Sequence, residues 1–323
     1  MKLNLRIRKS VLAAALTVAL APSVAMAQDS PAMEWVVGFP AGGSSDLVSR
    51  LLAEQTSKTL GQNIVVVNKP GAGSNIAAQY VATAKLPMLF SAGFPSLAVN
   101  PHLFKKLPYD PEKDFVPLTM MARSPMLLVV SPGTPVSNLR EFLAWGKSRP
   151  EGISYGSAGP GTQHHLTGEL LKDQLAVKLV HVPYRGVAPA LNDVAAGQIS
   201  TAVMDLGAVQ QHVISGKVKA MAITSATRWP ALPDVPTFQE LGYKDLDTYA
   251  WQCVVASNAT PPELRARIWT ALSGILNSPA VKTRILAMGV EAVSSTPEQL
   301  ASYARAERAR WGAVIQKNGI TAD

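Results

Sequence analysis

Phe39-Pro40-Ala41-Gly42-Gly43-Ser44-Ser45-Asp46 is the stretch on which the fold turns. The apolar run Trp35-Val36-Val37-Gly38-Phe39 enters it as a buried strand would. Leu47, Val48, Leu51 and Leu52 leave it at helical spacing, with Gly61 where a C-terminal cap belongs. The stretch is therefore a glycine-rich turn from strand to helix. Glycine lets the backbone come close to a ligand, and the first N–H groups of a helix have no intrahelical acceptor. Those donors coincide with the positive end of the helix dipole, so the turn can hold an anion. An ordinary tight strand-to-helix connection would look the same, so one such loop leaves the choice open.

Further along, the chain alternates strand and helix. Asn63 to Asn68, Pro87 to Ala92, Met126 to Val130, Ile153 to Ser157, Lys178 to Tyr184, Ser200 to Asp205, Lys219 to Thr224 and Thr248 to Ser257 read as strands. Helices are expected after most of them, including Ala188–Ala196 and Ala208–Ser215 with Gly197 and Gly216 as caps. A loop is expected through Gly93, Phe94 and Pro95. This rhythm predicts an α/β fold with mostly parallel, doubly wound sheets. The last third is helical, from Pro261 to Asn277 and from Pro297 to Gln316. Thr296-Pro297-Glu298-Gln299 supplies a capping box with proline in the first turn. On the last helix Leu300, Tyr303, Ala304, Trp311, Val314 and Ile315 face inward, and Arg305, Arg308 and Arg310 form a solvated face.

A second loop of the same kind tips the balance. Tyr155-Gly156-Ser157-Ala158-Gly159-Pro160-Gly161-Thr162 ends a strand and opens a helix running to Leu175. Neither loop has the lysine and hydroxyl of a phosphate-binding P-loop, and neither contains G-x-G-x-x-G. Two helix N-termini, one from each half, predict an anion gripped from two sides. Each dipole would contribute about 0.3–1 kcal/mol, and each direct hydrogen bond to a charged oxygen about 1.5–3 kcal/mol.

At the N-terminus, Lys2, Arg6, Arg8 and Lys9 precede the apolar run Val11 to Ala21 and an Ala25-Met26-Ala27 cleavage site. This is the pattern of a signal peptide over residues 1–27, giving a soluble, exported product. The leader takes four of the 30 basic residues and none of the 22 acidic ones, so 26 face 22 in the mature chain, a net charge of about +4 rather than +8. No basic run is interleaved with aromatics, which excludes nucleic acid as the expected partner. The single cysteine, Cys253, sits in an apolar run and reads as a buried, inert thiol. Adjacent His164 and His165 point different ways on a helix and make no metal pair; no metal or cofactor is expected.

PAGGSSD (40–46), NKPGAGSNIAA (68–78), YGSAGPGTQHHL (155–166), HVPYRGVAPALNDVAAGQI (181–199) and LPDVPTFQELGY (232–243) resemble, in the same order, the periplasmic solute receptors of tripartite tricarboxylate transporters, the Bug family. The resemblance implies a two-lobed, type II periplasmic binding protein (Venus-flytrap) fold. Lobe 1 would take residues 28–124 and 250–323, and lobe 2 residues 125–249, with hinges near Arg123–Met126 and Ala250–Gln252. It further implies a small organic carboxylate as ligand, membrane permease subunits as partners, and a periplasmic monomer. Where relatives carry a Pro-Asp-Gly-Tyr-Thr-like turn, this chain has the shorter Ala84-Lys85-Leu86-Pro87-Met88, which bears on how Ser91, Gly93 and Phe94 meet the cleft.

The candidate ligand-binding residues are Phe39, Ala41, Gly42, Gly43, Ser44, Asp46, Ser91, Phe94, Ser157, Ala158, Gly159, Gly161, Thr162, Tyr184 and Asp205. Ser44 and Ser157 read as ligand donors or as helix caps. Asp46 either steadies its helix or contacts the ligand, and Thr162 can cap and bind at once. His165 matches the family's buried histidine. Asp205, at a strand end, is the leading specificity residue, with a turn cap as its alternative. A serine hydrolase built on Ser157, His165 and Asp205 is the competing reading, although no G-x-S-x-G elbow surrounds any serine. A ligand-presenting sensor for a membrane kinase is compatible with the same site.

Overall fold

The computed structural model describes residues 32–322; the leader expected at 1–27 lies outside them. In chain order the elements are β1 (Met33–Val37), α1 (Ser44–Leu60), β2 (Ile64–Asn68), α2 (Asn75–Ala82), β3 (Met88–Gly93), α3 (Asn100–Leu103), β4 (Phe115–Val130), α4 (Leu139–Lys147), β5 (Ile153–Ser157), α5 (Gln163–Leu175), β6 (Leu179–Pro183), α6 (Val187–Ala195), β7 (Thr201–Asp205), α7 (Leu206–Ile214), β8 (Lys219–Ile223), β9 (Tyr249–Ser257), α8 (Pro262–Asn277), α9 (Pro279–Ala287), β10 (Glu291–Ala292) and α10 (Pro297–Asn318). No helix among the described residues is long and apolar enough to cross a membrane.

The strands follow the path β2-β1-β3-β9-β4-β7-β5-β6, with β8 and β10 also pairing onto β4. The flanks are parallel, β1 with β2 and β3, and β5 with β6 and β7. The centre is antiparallel, because the chain crosses from the first half to the second on β4 and returns on its neighbour β9. The sheet is thus mixed. β4 pairs with β9 from Phe115 to Pro125 and with β7 from Met126 to Val130.

Only the second part of β4 is legible in the sequence. Pro117 interrupts the first part, where the register shifts, and Pro125 sits where the partner changes. Proline donates no ladder bond, so it is tolerated at such irregularities and hides the strand pattern. The expected loop after β3 is instead a π-helical turn, Phe94–Val99, running into α3.

Each half buries apolar residues on both faces of its sheet. In the first, Phe90, Phe94, Trp251 and Trp311 pack on one face, and Trp35, Leu52, Leu89 and Leu272 on the other. Successive β3 residues supply opposite faces, as the pleat requires. Cys253 is fully buried on β9, and burial pushes its thiol pKa up. The arginine face of α10 is less solvated than its spacing predicts. Arg308 Nε donates to Leu97 O at 2.8 Å, and Arg310 donates to the carbonyls of Asp245 and Asp247 at 2.8 Å. Their long stems carry the charge across the helix surface to acceptors that sequence spacing cannot reveal.

Candidate functional site

Strand register decides where the two loops point. In the first half Val37 pairs with Ser91, Ser91 with Val254 and Val254 with Thr119, so β1 ends level with Thr119, while β3 runs on to Gly93, level with Ala122. In the second half β7 ends at Asp205 opposite Met126, and its parallel neighbour β5 ends at Ser157, level with Val203 and Leu128. Nine residues of strand, about 30 Å, separate the levels of Thr119 and Leu128, and the loops after β1 and β5 extend into that gap. The helix N-termini that follow β1 and β5 therefore overhang the crossing point from opposite directions. Glycine-rich turns at strand C-terminal ends are where ligands of open α/β sheets collect.

The first loop is held from beneath by Asp46. Its carboxylate accepts from Gly42 N at 2.9 Å, Arg50 Nε at 2.9 Å and Asn68 Nδ2 at 2.8 Å. Burial opposes the charge, but these three donors together hold the carboxyl below the usual carboxylate range. Asn68 also donates to Phe39 O at 3.1 Å, so the β2 end ties both sides of the turn. The N-cap of α1 is Gly43, with no side-chain cap. Ala41, Gly42, Gly43 and Ser44 are exposed, Phe39 is half-buried, and no acceptor among the described residues meets the N–H of Ser44, Ser45 or Asp46. Asp46→Ala is expected to cost about 1 kcal/mol, since the buried carboxylate's bonds are lost while its exposed and half-buried donors turn to water; the shift of a urea midpoint measures it.

The second loop is knotted by its own side chains. Ser157 Oγ accepts from Gly159 N at 3.1 Å and lies 2.6 Å from His181 Nε2. Thr162 caps α5, accepting from His165 N and donating to Gly159 O at 2.7 Å. Gly161 N donates to His165 Nδ1 at 3.1 Å. The N–H groups of Gln163 and His164 meet no acceptor among the described residues. Gly159 and Ala158 complete the turn. Tyr184 stands beside it, its N–H bonded to Ser157 O at 3.0 Å and its hydroxyl to Asp193 at 2.7 Å. Burial and the Asp193 carboxylate raise that phenol to about 12.

Several candidate side chains are occupied inside the protein. Ser157 is fully buried, so its hydroxyl shapes the loop. Ser91 bonds Trp35 Nε1 and Ser49 Oγ beneath α1. Phe94 packs edge-on against Trp311, ring centroids 5.5 Å apart. Asp205 caps α7 through Ala208 N and pairs with His164 Nε2 at 3.1 Å. Burial opposes its charge, yet His164 and Ala208 bring its pKa below the ordinary value. The hydrolase line fails on these contacts, since Ser157 meets His181 rather than His165, and Asp205 meets His164.

Sequence reading missed Asn68, His181 and Ser74. Ser74 is buried in the left-handed region at φ 75° with a hydroxyl that has no partner among the described residues, pressed against Gly38, where a Cβ would lie 1.9 Å from its Oγ. The KPGAGS turn that carries it signalled a glycine-rich connection but not this contact. Ser45 Oγ and Gln163 Oε1, in the first turns of α1 and α5, are likewise buried without partners among the described residues. An open groove of about 710 Å³ between α1 and α8, lined by Gln55, Thr59, Arg267 and Thr270, lies at the other end of α1. Gln55 is roughly 16 Å along the helix from Ser44, away from the positive dipole end.

Residues 48–320 match the family model described as the tripartite tricarboxylate transporter family receptor. The chain belongs to this family. The receptor is 33% identical to BugT of Bordetella pertussis over 292 residues, covering 89% of each chain. Among solved structures it is similar to R. palustris Rpa4515 with adipate (TM-score 0.80, 32% identity, 90% of this chain and 98% of that one). It is also similar to MatC of Rhodopseudomonas palustris with bound malate (TM-score 0.73, 32% identity, 88% and 98%). The fold is accordingly that of the periplasmic binding proteins, and the family is one of transport receptors rather than enzymes.

Proposed function

We propose that this receptor captures a small organic carboxylate between the PAGGSSD and GSAGPGT loops and delivers it to the permease subunits of its transporter. One observation carries the reading: β1 and β5 run toward the β4 crossing from opposite directions, and each leads through a glycine-rich loop to a helix N-terminus with N–H groups that meet no acceptor among the described residues. Because Asp46, Ser91, Phe94, Ser157, Thr162 and Asp205 are engaged internally, as is the Gly42 N–H, the ligand contacts fall to the backbone N–H groups of Ser44–Asp46 and of the α5 first turn, with the Ser44 hydroxyl and Tyr184 at the rim. Residues 28–124 with 250–323 would form one lobe and 125–249 the other, closing about the two crossings. Export with cleavage near Ala27 would place the mature monomer in the periplasm, and adipate and malate in relatives support the ligand class.

A thermal-shift screen of organic acids, amines and neutral sugars tests this. A ligand present at a hundred times its Kd stabilises by about 2.7 kcal/mol, which raises Tm by several degrees. Stabilisation by carboxylates alone is the expected result. Stabilisation by amines or sugars with none by any carboxylate overturns the reading.

A further inference from the structure

Beneath the second loop, two imidazole rings lie face to face. The centroids of His165 and His181 are 3.7 Å apart and their planes differ by 8°. His165 comes from the first turn of α5 and His181 from the middle of β6. Each ring reaches a different point of the loop. His165 Nδ1 accepts the Gly161 N–H at 3.1 Å, and His181 Nε2 lies 2.6 Å from Ser157 Oγ. An accepting Nδ1 carries no proton, so a neutral His165 bears its hydrogen on Nε2, on the side of Glu169 Oε1 at 3.9 Å. Resting on the two-loop reading above, we infer that the stacked His165–His181 pair is a positioning device that gives the GSAGPGT loop its anion-binding shape, and that it works only while both rings are uncharged.

The chemistry follows from the contacts. If His165 took a proton on Nδ1, two hydrogens would meet between it and Gly161 N, and the N–H would have to swing away. Gly161 has nowhere to swing, since its backbone is left-handed (φ 70°) and a Cβ there would lie 2.3 Å from Leu103 Cδ1 of the first half. Two charged imidazoles stacked at this distance would also repel each other. The groups facing the pair are Glu169 and Lys172 on α5, which are ion-paired with each other, and Tyr155 of β5. Tyr155 donates to Glu169 Oε1 at 2.8 Å and to His165 O at 3.3 Å, and Lys172 reaches Asn318 of α10 at 3.3 Å. Glu169 is thus already bonded; its charge still favours protonation of both rings, with Lys172 opposing it, and burial outweighs it. Next along the helix, the pair His164–Asp205 is a separate contact on β7. Burial, with His181 adding to it, lowers His165 to about 4, and burial lowers His181 as well; both remain neutral at neutral pH.

The test uses amides as atom-for-atom stand-ins, because an asparagine side chain places its polar atom near Nδ1 of histidine and a glutamine near Nε2. The full mature chain, wild type and His165→Asn, His165→Gln, His181→Gln and His181→Asn, is titrated calorimetrically with adipate and, separately, with malate. In parallel, amide exchange at Gly161 and the nitrogen-15 spectrum of labelled histidine are recorded. The expected results are a His165 ring protonated on Nε2 and unchanged from pH 7.5 to 5, and a Gly161 amide protected in wild type and H165N. In H165Q that amide should exchange at least about tenfold faster. Affinity should stay within about threefold in H165N and H181Q and fall about thirtyfold or more in H165Q and H181N. A proton on His165 Nδ1, or equal exchange in H165N and H165Q, overturns the inference, as does equal binding by the two amides at either position. Should wild type bind neither acid, the carboxylate reading loses support, while the exchange and tautomer results still decide the role of the pair.

Discussion

Gly161→Val is expected to lower affinity for the carboxylate that the thermal screen selects by about 100-fold, close to 2.7 kcal/mol. Two costs meet at this residue. Its φ of 70° is a region that a β-branched side chain rarely enters. The added Cβ would also press on Leu103, which is buried in the apolar cluster shared by Phe94, Trp251 and α5's Leu166. The loop must lift, and lifting removes the Gly161 N–H from His165. Gly42→Ala is the matched control in the first loop. Gly42 is equally left-handed at φ 86°, but nothing lies within 4 Å of its would-be Cβ. Its cost is conformational alone, about 1 kcal/mol, or less than tenfold in affinity. Calorimetry on both variants separates the two; a Gly161→Val protein binding within threefold of wild type would show that the second loop does not grip the ligand.

That contrast between two glycines marks the boundary of what sequence can show. Both loops were legible, because glycine and serine between an apolar run and a helical repeat leave few alternatives to a strand-to-helix turn. The strands at Ile153–Ser157 and Thr201–Asp205 were legible for the same reason, and so was α10, whose capping box Thr296–Gln299 is present. Side-chain direction was not legible. Ser44 and Ser157 both read as ligand donors, yet Ser44 opens its helix and is exposed, while Ser157 ends its strand and is fully buried against His181, 24 residues away in sequence. Asp205 read as a cleft carboxylate with a turn cap as the alternative; it does cap α7, but its partner His164 arrives from a helix 41 residues earlier. Phe94 was read toward the cleft because it follows β3, but the π-helical turn that begins there rotates it into the core. Long-range pairing of this kind leaves no local period, and prolines at 117 and 125 masked even the crossing strand.

Trp311→Ala should produce the largest loss of stability, about 4 kcal/mol, in the range for deleting a fully buried indole. Its ring is the edge-on partner of Phe94, and its Nε1 donates to Glu307 Oε2 at 2.9 Å. The same oxygen accepts from Trp251 Nε1 at 3.0 Å. Burial raises the Glu307 pKa, while Trp311, Arg310 and Trp251 counter part of the rise. A carboxyl whose folded pKa is raised contributes stability below its unfolded pKa and loses that contribution as pH climbs through the folded value. Removing the Trp311 donor raises the folded pKa further, so the penalty of Trp311→Ala is expected to be greater at pH 8 than at pH 5. In a Glu307→Gln background the oxygen can still accept from the indoles but no charge remains, so the Trp311→Ala cost should lose its dependence on pH. Urea unfolding of the four proteins at pH 5 and pH 8 measures this cycle, and a Trp311→Ala penalty that is pH-independent in the wild-type background would mean that the two indoles do not hold the Glu307 charge.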